Sequence, residues 1–248
     1  MNTLTLLNPT VWNEETVAEV NARLESASAE HIADWAVATF GKRLTVASSM
    51  QDTILPHMFG TRLPGVDVLF LETGYHFAET VTTREDSAKR FPITIINALP
   101  KQTVAEQDAQ YGAQLHDRDP NLCCALRKVE PLERSLKGYD AWVTGARRVD
   151  AVTRANMPVI QWDANHGLVK ISPLALWSDD QIEKYQVDHD LPRNPLVAQG
   201  YPSIGCAPCT RAVKPGEHPR AGRWWWEQEG ARKECGLHAI PVKVLEPA

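Results

Sequence analysis

Five short apolar runs rich in β-branched residues punctuate the chain, at Leu44–Ala47, Val66–Leu71, Ile93–Asn97, Ala141–Thr144 and Val159–Trp162. They are continuous rather than alternating, the pattern of strands buried on both faces. Helix-like stretches separate several of them, for example Phe77–Arg90 and Cys124–Leu136. Residues 13–39 read as one or two further helices ahead of the first run. Such alternation predicts an α/β fold, a mostly parallel central sheet flanked by helices. In open sheets of this kind ligands bind beyond the carboxyl ends of the strands. The residues just after each run therefore carry the functional argument.

The pattern changes after Pro192. Between there and Gly222 stand Pro192, Pro195, Pro202, Pro208, Pro215 and Pro219, with glycines among them. This predicts an irregular C-terminal segment, mobile or ordered by a ligand. A chain of 248 residues buries enough surface to need no disulfide staples. With 43% apolar and 23% charged residues, wholesale disorder is excluded. No run approaches the roughly 18 apolar residues of a membrane helix, and the first residues show no basic, apolar leader pattern. The expectation is a cytoplasmic protein in a reducing compartment, acting without a membrane.

In that setting cysteines point to metal or catalysis rather than to disulfides. The five fall as Cys123-Cys124, Cys206-x-x-Cys209, and Cys235 alone. The net charge of −5 hides an asymmetry: residues 1–120 carry 9 basic and 16 acidic side chains, and residues 121–248 carry 17 and 15. That is too little positive charge for a duplex nucleic-acid binder. Basic residues nevertheless gather beside the cysteines, as Arg127-Lys128, Arg147-Arg148, Arg211, Lys214, Arg220, Arg223 and Arg232-Lys233. A single one reads as a solvated surface charge; repeated clustering suggests a small anionic ligand.

Four segments after the strands, and the tail, carry chemistry. After Ala47 the chain reads Ser48-Ser49-Met50-Gln51-Asp52 and enters a helix, which offers hydroxyls and backbone N–H groups to an anion. A plain Ser-rich capped turn has the same appearance, and the glycines of a Walker loop are missing. After Leu71, Glu72-Thr73-Gly74 forms a turn whose carboxylate suits hydroxyl or amino groups. Cys123 and Cys124 precede an amphipathic helix whose positive end favours thiolates. After Thr144 come Gly145 and Arg147, the latter a planar fork suited to phosphate or sulfate. Cys206 and Cys209 can place two sulfurs on one centre. Four thiols fit either zinc or a [4Fe–4S] cluster, and adjacent cysteines sit more easily on the spread corners of a cubane. Cys235, flanked by Arg232, Lys233 and His238, is either a structural cysteine or a stabilised thiolate.

Taken together, CCALRKVEPLERSLKGYDAWVTGARR, GCAPCTRAVKPGEHPRAGRWWWE and KECGLH closely resemble the thioredoxin-dependent adenylyl-sulfate (APS) reductases of assimilatory sulfate reduction, relatives of the 3′-phospho-adenylyl-sulfate (PAPS) reductases. The similarity runs from about residue 40 to residue 238. It implies a fold like that of the adenine nucleotide alpha hydrolases. It divides the chain into a nucleotide-binding α/β domain with N-terminal helices, 1–192, and a C-terminal cluster-ligand loop with a mobile catalytic tail, 193–248. The turn of Ser48, Ser49, Gln51 and Asp52 corresponds to a modified pyrophosphate loop. Glu72, Thr73 and Gly74 match an LDTG-like motif, with Glu in place of the usual Asp. Gly145 and the cations Lys128, Arg147, Arg220 and Arg223 match positions around the phosphosulfate. By the same resemblance Cys123, Cys124, Cys206 and Cys209 ligate a [4Fe–4S] cluster.

Cys235 corresponds to the family's nucleophile. Its attack on the sulfur of APS would expel AMP and leave an S-sulfocysteine, from which reduced thioredoxin releases sulfite, on the way to cysteine biosynthesis. Cations would offset the repulsion between the two anions. The paired cysteines favour APS over PAPS, while PAPS reductase or dual activity remains an alternative. An ATP-dependent tRNA sulfurtransferase is a further one, disfavoured by the weak positive charge; a metal-bearing binding module without catalysis is another. The implied partners are thioredoxin and the small molecule, with room for a homo-oligomer and no nucleic acid or membrane.

Overall fold

The computed structural model describes residue 9 and residues 11–227. Two helices come first, α1 (Glu14–Leu24) and α2 (Ala29–Phe40). Asn13 and Thr16 close a reciprocal capping box on α1, and Ser28 caps α2. The chain then alternates: β1 (Leu44–Ala47), α3 (Ile54–Arg62), β2 (Val66–Leu71), α4 (Ala78–Arg90) and β3 (Ile93–Ala98). Short helices α5 (Val104–Tyr111), α6 (Leu115–Arg118) and α7 (Pro120–Cys124) follow. α7 runs through a π-helical turn, Ala125–Val129, into α8 (Glu130–Leu136). The remaining elements are β4 (Ala141–Thr144), β5 (Ile160–Asp163), β6 (Leu168–Ile171) and α9 (Asp179–Asp188).

The strands form a six-stranded sheet in the order β3-β2-β1-β4-β6-β5. All pairings are parallel except β5 with β6. The predicted mostly parallel sheet between helices is what the chain builds. The last predicted run is displaced by one residue and becomes an antiparallel edge strand. Its unpaired edge meets α1, where Asn21 Oδ1 accepts from the Ile160 N–H at 2.9 Å.

The larger core lies between the sheet and α1, α2 and α3, and includes Ile32, Trp35, Val46, Met58, Phe59, Phe70 and Ile171. A smaller cluster of Leu69, Leu132, Leu136, Trp142 and Leu168 seats α8 on the other face. From β1 the chain winds outward through β2 to β3, then returns to place β4 on the other side of β1. The loops after β1 and β4 therefore diverge at a topological switch point, where a crevice opens.

The stretch after Pro192 is irregular, as its prolines predict, but it is pinned rather than loose. Thr53 Oγ1 donates to the Pro192 carbonyl at 2.9 Å. Asn194 Nδ2 donates to the Met50 carbonyl at 3.1 Å and to Thr80 Oγ1 at 3.0 Å. Ala207 N–H donates to the Tyr75 carbonyl at 2.7 Å. Among the described residues no helix is long and apolar enough to cross a membrane.

Candidate functional site

At the switch point lies a cleft of about 260 Å³, near the lower end of the roughly 300–1,000 Å³ typical of small-molecule sites. Three loops and the C-terminal segment build its walls. From the loop after β1 come Ser48, Ser49, Gln51 and Asp52, and from the loop after β2 come Thr73 and His76. The loop after β4 supplies Gly145, Arg147, Asp150 and Arg154. Ser203, Ile204, Gly205, Cys206, Arg220 and Arg223 close it from the C-terminal segment, and Lys128 reaches it from the π-turn.

The loop after β1 is shaped by Met50, fully buried and in the left-handed region at φ 57. The Ser48 hydroxyl accepts from the Met50 N–H at 3.3 Å, and Asp52 accepts from the Ile54 N–H at 3.1 Å at the start of α3. Burial lifts the Asp52 carboxyl above its ordinary range, against the Ile54 N–H and Arg147 and with help from Asp150. Gln51 is engaged on both ends of its amide. Nε2 donates to the Pro202 carbonyl at 3.1 Å, and Oε1 accepts from the Ile204 N–H at 2.8 Å. It clamps the C-terminal segment over the cleft while contributing to its wall.

Glu72 and Gly74 are the predicted binding residues that do not line the cleft. The Glu72 carboxylate turns back to accept from the Gly74 N–H at 3.0 Å and from Arg84 at 3.3 Å. Gly74, at φ +72, leaves room for Arg127, whose Nη2 would lie 3.1 Å from a Cβ there. Thr73 does reach the site. Its hydroxyl lies 3.4 Å from Cys206 Sγ and accepts from the Tyr75 N–H at 3.2 Å.

The cations differ in their partners. Arg147 is held by Asp150 at 2.9 Å and Asp179 at 2.8 Å, and Arg154 joins Asp150 at 3.3 Å. Arg223 is 6% exposed and donates to the Ile204 carbonyl at 3.2 Å and to Ser203 Oγ at 3.4 Å, with its guanidinium 4.7 Å over the Trp224 ring. Arg220 donates to the same Ser203 hydroxyl at 3.4 Å. Nε of Arg223 is buried with no hydrogen-bond partner among the described residues.

Beside the cleft, a second pocket gathers Cys123, Cys124, Cys206 and Cys209 with Tyr75, His116, Pro120, Arg127 and Lys128. Lys128 lines both. All four cysteines are buried and free of disulfides. The expectation that the tandem pair precedes its helix is corrected. The helix begins at Pro120, capped by Asp119 at Leu122 N, so both cysteines lie in its body. The thiolate-favouring effect of the helix end is overcome as well. Burial, with Cys124 and Cys206 beside it, pushes the Cys123 thiol up to about 12, and burial with Cys206 pushes Cys209 up to about 12.

Cys123 and Cys209 become thiolates in this pocket only if a cation repays the burial. Among the described residues no three His, Cys, Asp or Glu groups approach closely enough to share one ion. Four buried thiols lining one pocket are a donor set that zinc or an iron–sulfur centre could take. Trp224 Nε1, a buried donor with no partner among the described residues and a ring packed on Cys124, Cys206 and Cys209, also fits an anionic, sulfur-rich group.

Cys235 and His238 lie outside the described residues. His76, Asp150, Arg154, Ser203 and Gly205 line the cleft without having been singled out as binding residues. Arg154 follows Arg147-Arg148 in the loop after β4. Ser203 and Gly205 carried no pattern of their own.

A protein-family model, the phosphoadenosine phosphosulfate reductase domain, matches residues 43–212. The chain is 52% identical over 235 residues to an adenosine 5′-phosphosulfate reductase of Streptomyces coelicolor, covering 92% of this chain and 98% of that relative. It is 53% identical over 218 residues to one of Mycolicibacterium smegmatis, covering 88% and 91%. Its fold is similar to that of the phosphoadenylyl-sulfate (PAPS) reductase from Candida auris, solved as a phosphate complex, with a TM-score of 0.69, 28% identity, and coverage of 82% and 98%. A Candida glabrata FMN adenylyltransferase, bound to FMN and an ATP analogue, shares the fold alone, with a TM-score of 0.53, 14% identity, and coverage of 87% and 74%.

Proposed function

On the premise that the chain belongs to the phosphoadenosine phosphosulfate reductase family, we propose that it reduces adenosine 5′-phosphosulfate to sulfite and AMP, with reduced thioredoxin as electron donor. The observation that carries this reading is the juxtaposition of a cation-lined cleft and a four-cysteine pocket, with Lys128 in the wall of both. The paired cysteines would hold a [4Fe–4S] cluster through Cys123, Cys124, Cys206 and Cys209. When bound, that group supplies a fixed, buried charge beside the substrate.

The protein's own residues would do the rest. Ser48, Ser49 and the loop backbone at the start of α3 receive the phosphate end of the phosphosulfate. Lys128, Arg220 and Arg223 face the sulfate end and offset the repulsion between it and an approaching thiolate. The Cys235 thiolate then attacks the sulfate sulfur. The S–S bond forms as the S–O bond to phosphate breaks, and AMP leaves with that electron pair. A thiolate of thioredoxin attacks Cys235 Sγ in the S-sulfocysteine, and sulfite departs with the electron pair of the broken S–S bond. The second thioredoxin thiol resolves the mixed disulfide, so two electrons pass from thioredoxin to sulfur.

The test is sulfite release from APS and from PAPS with reduced thioredoxin. Turnover of APS supports the reading, and turnover of neither removes it. Turnover of PAPS alone favours the second reading, PAPS reduction, which the family model and the Candida auris enzyme keep in view.

A further inference from the structure

Arg127 is 3% exposed, yet none of its hydrogen-bond partners among the described residues carries a charge. Its Nε donates to the Thr73 carbonyl. Its Nη1 donates to Gln107 Oε1 at 3.0 Å and reaches the Gln102 carbonyl at 3.4 Å. The guanidinium lies 5.2 Å over the Tyr75 ring. No carboxylate among the described residues forms an ion pair with it. A guanidinium does not shed its proton in a protein. A buried one held only by neutral dipoles is costly unless an anion completes its surroundings.

The anion for which the structure provides is sulfur. Arg127 lines the pocket of Cys123, Cys124, Cys206 and Cys209, and stands one helical turn after Cys123, as Lys128 stands one turn after Cys124. The two consecutive cations divide their work. Lys128 lines the cysteine pocket and the substrate cleft, whereas Arg127 lines the cysteine pocket alone. We propose that Arg127 is a positioning residue, the buried counter-charge of the metal centre that the four cysteines would hold. The proposal rests on the cluster reading of those cysteines.

Gln107 offers a direct test. It is fully buried and meets Arg127 through one oxygen. Gln107→Glu keeps its shape and its acceptor but places a carboxylate against the guanidinium, cancelling the charge where it stands. Arg127→Met removes the charge outright, and Arg127→Lys keeps charge without the fork. Each protein is purified anaerobically, and iron, sulfide, the rate of iron release to a ferrous chelator and the reduction midpoint are measured.

Gln107→Glu and Arg127→Met are expected to release iron about tenfold faster than wild type, as loss of one charged interaction implies. Their midpoints should shift to more negative potential, with Arg127→Lys nearer wild type. A purely structural role predicts the opposite for Gln107→Glu, because the new ion pair would anchor Arg127 more firmly. Wild-type release and midpoint in a folded Gln107→Glu protein overturn the counter-charge. A wild-type protein without iron and sulfide overturns the cluster reading itself, and the counter-charge with it.

Discussion

Gly205 stands where the backbone passes the Arg223 guanidinium, and adding a single methyl group there separates positioning from folding. A Cβ built on Gly205 would lie 2.9 Å from Arg223 Nε, and closer still to Cζ and Nη2. No side chain accommodates that approach, so Gly205→Ala has to displace the guanidinium. What moves is the end of a flexible side chain, so the local backbone can stay in place. The displaced group gives up its bond to the Ile204 carbonyl at 3.2 Å and its stacking at 4.7 Å over Trp224.

A stacked cation contributes about 1 kcal/mol and a hydrogen bond from a charged donor about 2 kcal/mol, part of which water restores. The expected loss of stability is therefore modest, about 1–2 kcal/mol, read as a lower urea midpoint by tryptophan fluorescence. Activity should suffer separately. If Arg223 opposes the charge that gathers at the sulfate, losing about 2 kcal/mol of that contact lowers kcat/KM for APS about 30-fold. The decisive comparison is a double-mutant cycle. In an Arg223→Ala background Gly205→Ala meets no guanidinium and should be almost silent in both assays. Equal effects of Gly205→Ala in the two backgrounds, or an unchanged kcat/KM in the folded single variant, would refute the reasoning.

Gly222→Ala should be harsher, because its Cβ meets the backbone carbonyl of Arg211 rather than a movable side chain; a loss of about 2 kcal/mol or more in chemical denaturation is expected, and an unchanged midpoint would count against the close approach. Cys235→Ser should keep its iron and bind APS, seen by calorimetry, yet release no sulfite; turnover at the wild-type rate would show that another group is the nucleophile. Acid should weaken the joint between α3 and α9, where His57 Nδ1 lies 3.1 Å from the Tyr185 hydroxyl and its ring 4.8 Å from His189. Burial, together with His189, Arg62 and Arg90, holds His57 below its ordinary value of 6.5. Its contribution is therefore complete above about pH 6.5 and is lost as pH falls through the lower folded value. In thermal melts from pH 8 to 5, His57→Gln should flatten that decline, and an equally steep decline in the variant would dismiss His57 as its source.

Much of the scaffold was legible because burial on both faces writes itself as continuous apolar runs. Leu44–Ala47, Val66–Leu71 and Ala141–Thr144 are strands with the boundaries their composition predicts. β6 was not legible, because Leu168–Ile171 contains Lys170, a residue foreign to an inner strand. The fold hides it at 6% exposure by laying Nζ 4.9 Å over the Trp142 ring. The antiparallel pairing of β5 with β6 follows from their short connection, turned at Gly167 with φ +66, which is too brief for the crossover that parallel strands need. The prolines after residue 192 announced irregular chain but not its attachments. Those depend on pairs such as Gln51 with Ile204, 153 residues apart, and no local pattern records them. The residues beyond Ala47, Leu71 and Thr144 could be singled out because a parallel sheet aims them at one edge. Ser203 and Gly205 arrive there only through tertiary contact.

Charge shows the same separation between what is counted and what is placed. A chain with a net charge of −5 still builds a cation-rich cleft, because its acidic residues neutralise only part of that wall. Asp150 and Asp179 take up Arg147, and Asp150 also takes up Arg154, in contacts of 2.8–3.3 Å. Those guanidiniums present little net charge to a ligand, and their fixed geometry shapes the loop after β4. Across the cleft, the partners of Arg223 are a hydroxyl, a carbonyl and an aromatic ring. Neutral partners orient its charge without cancelling it, and its buried Nε still has no acceptor in the described structure. An anionic ligand should therefore be drawn toward the C-terminal wall, with Cys206 and Lys128 in the same lining. The segment that looked least structured in sequence, from Ser203 to Arg223, thus supplies two cysteines of the four-cysteine pocket and a guanidinium whose partners among the described residues are all uncharged.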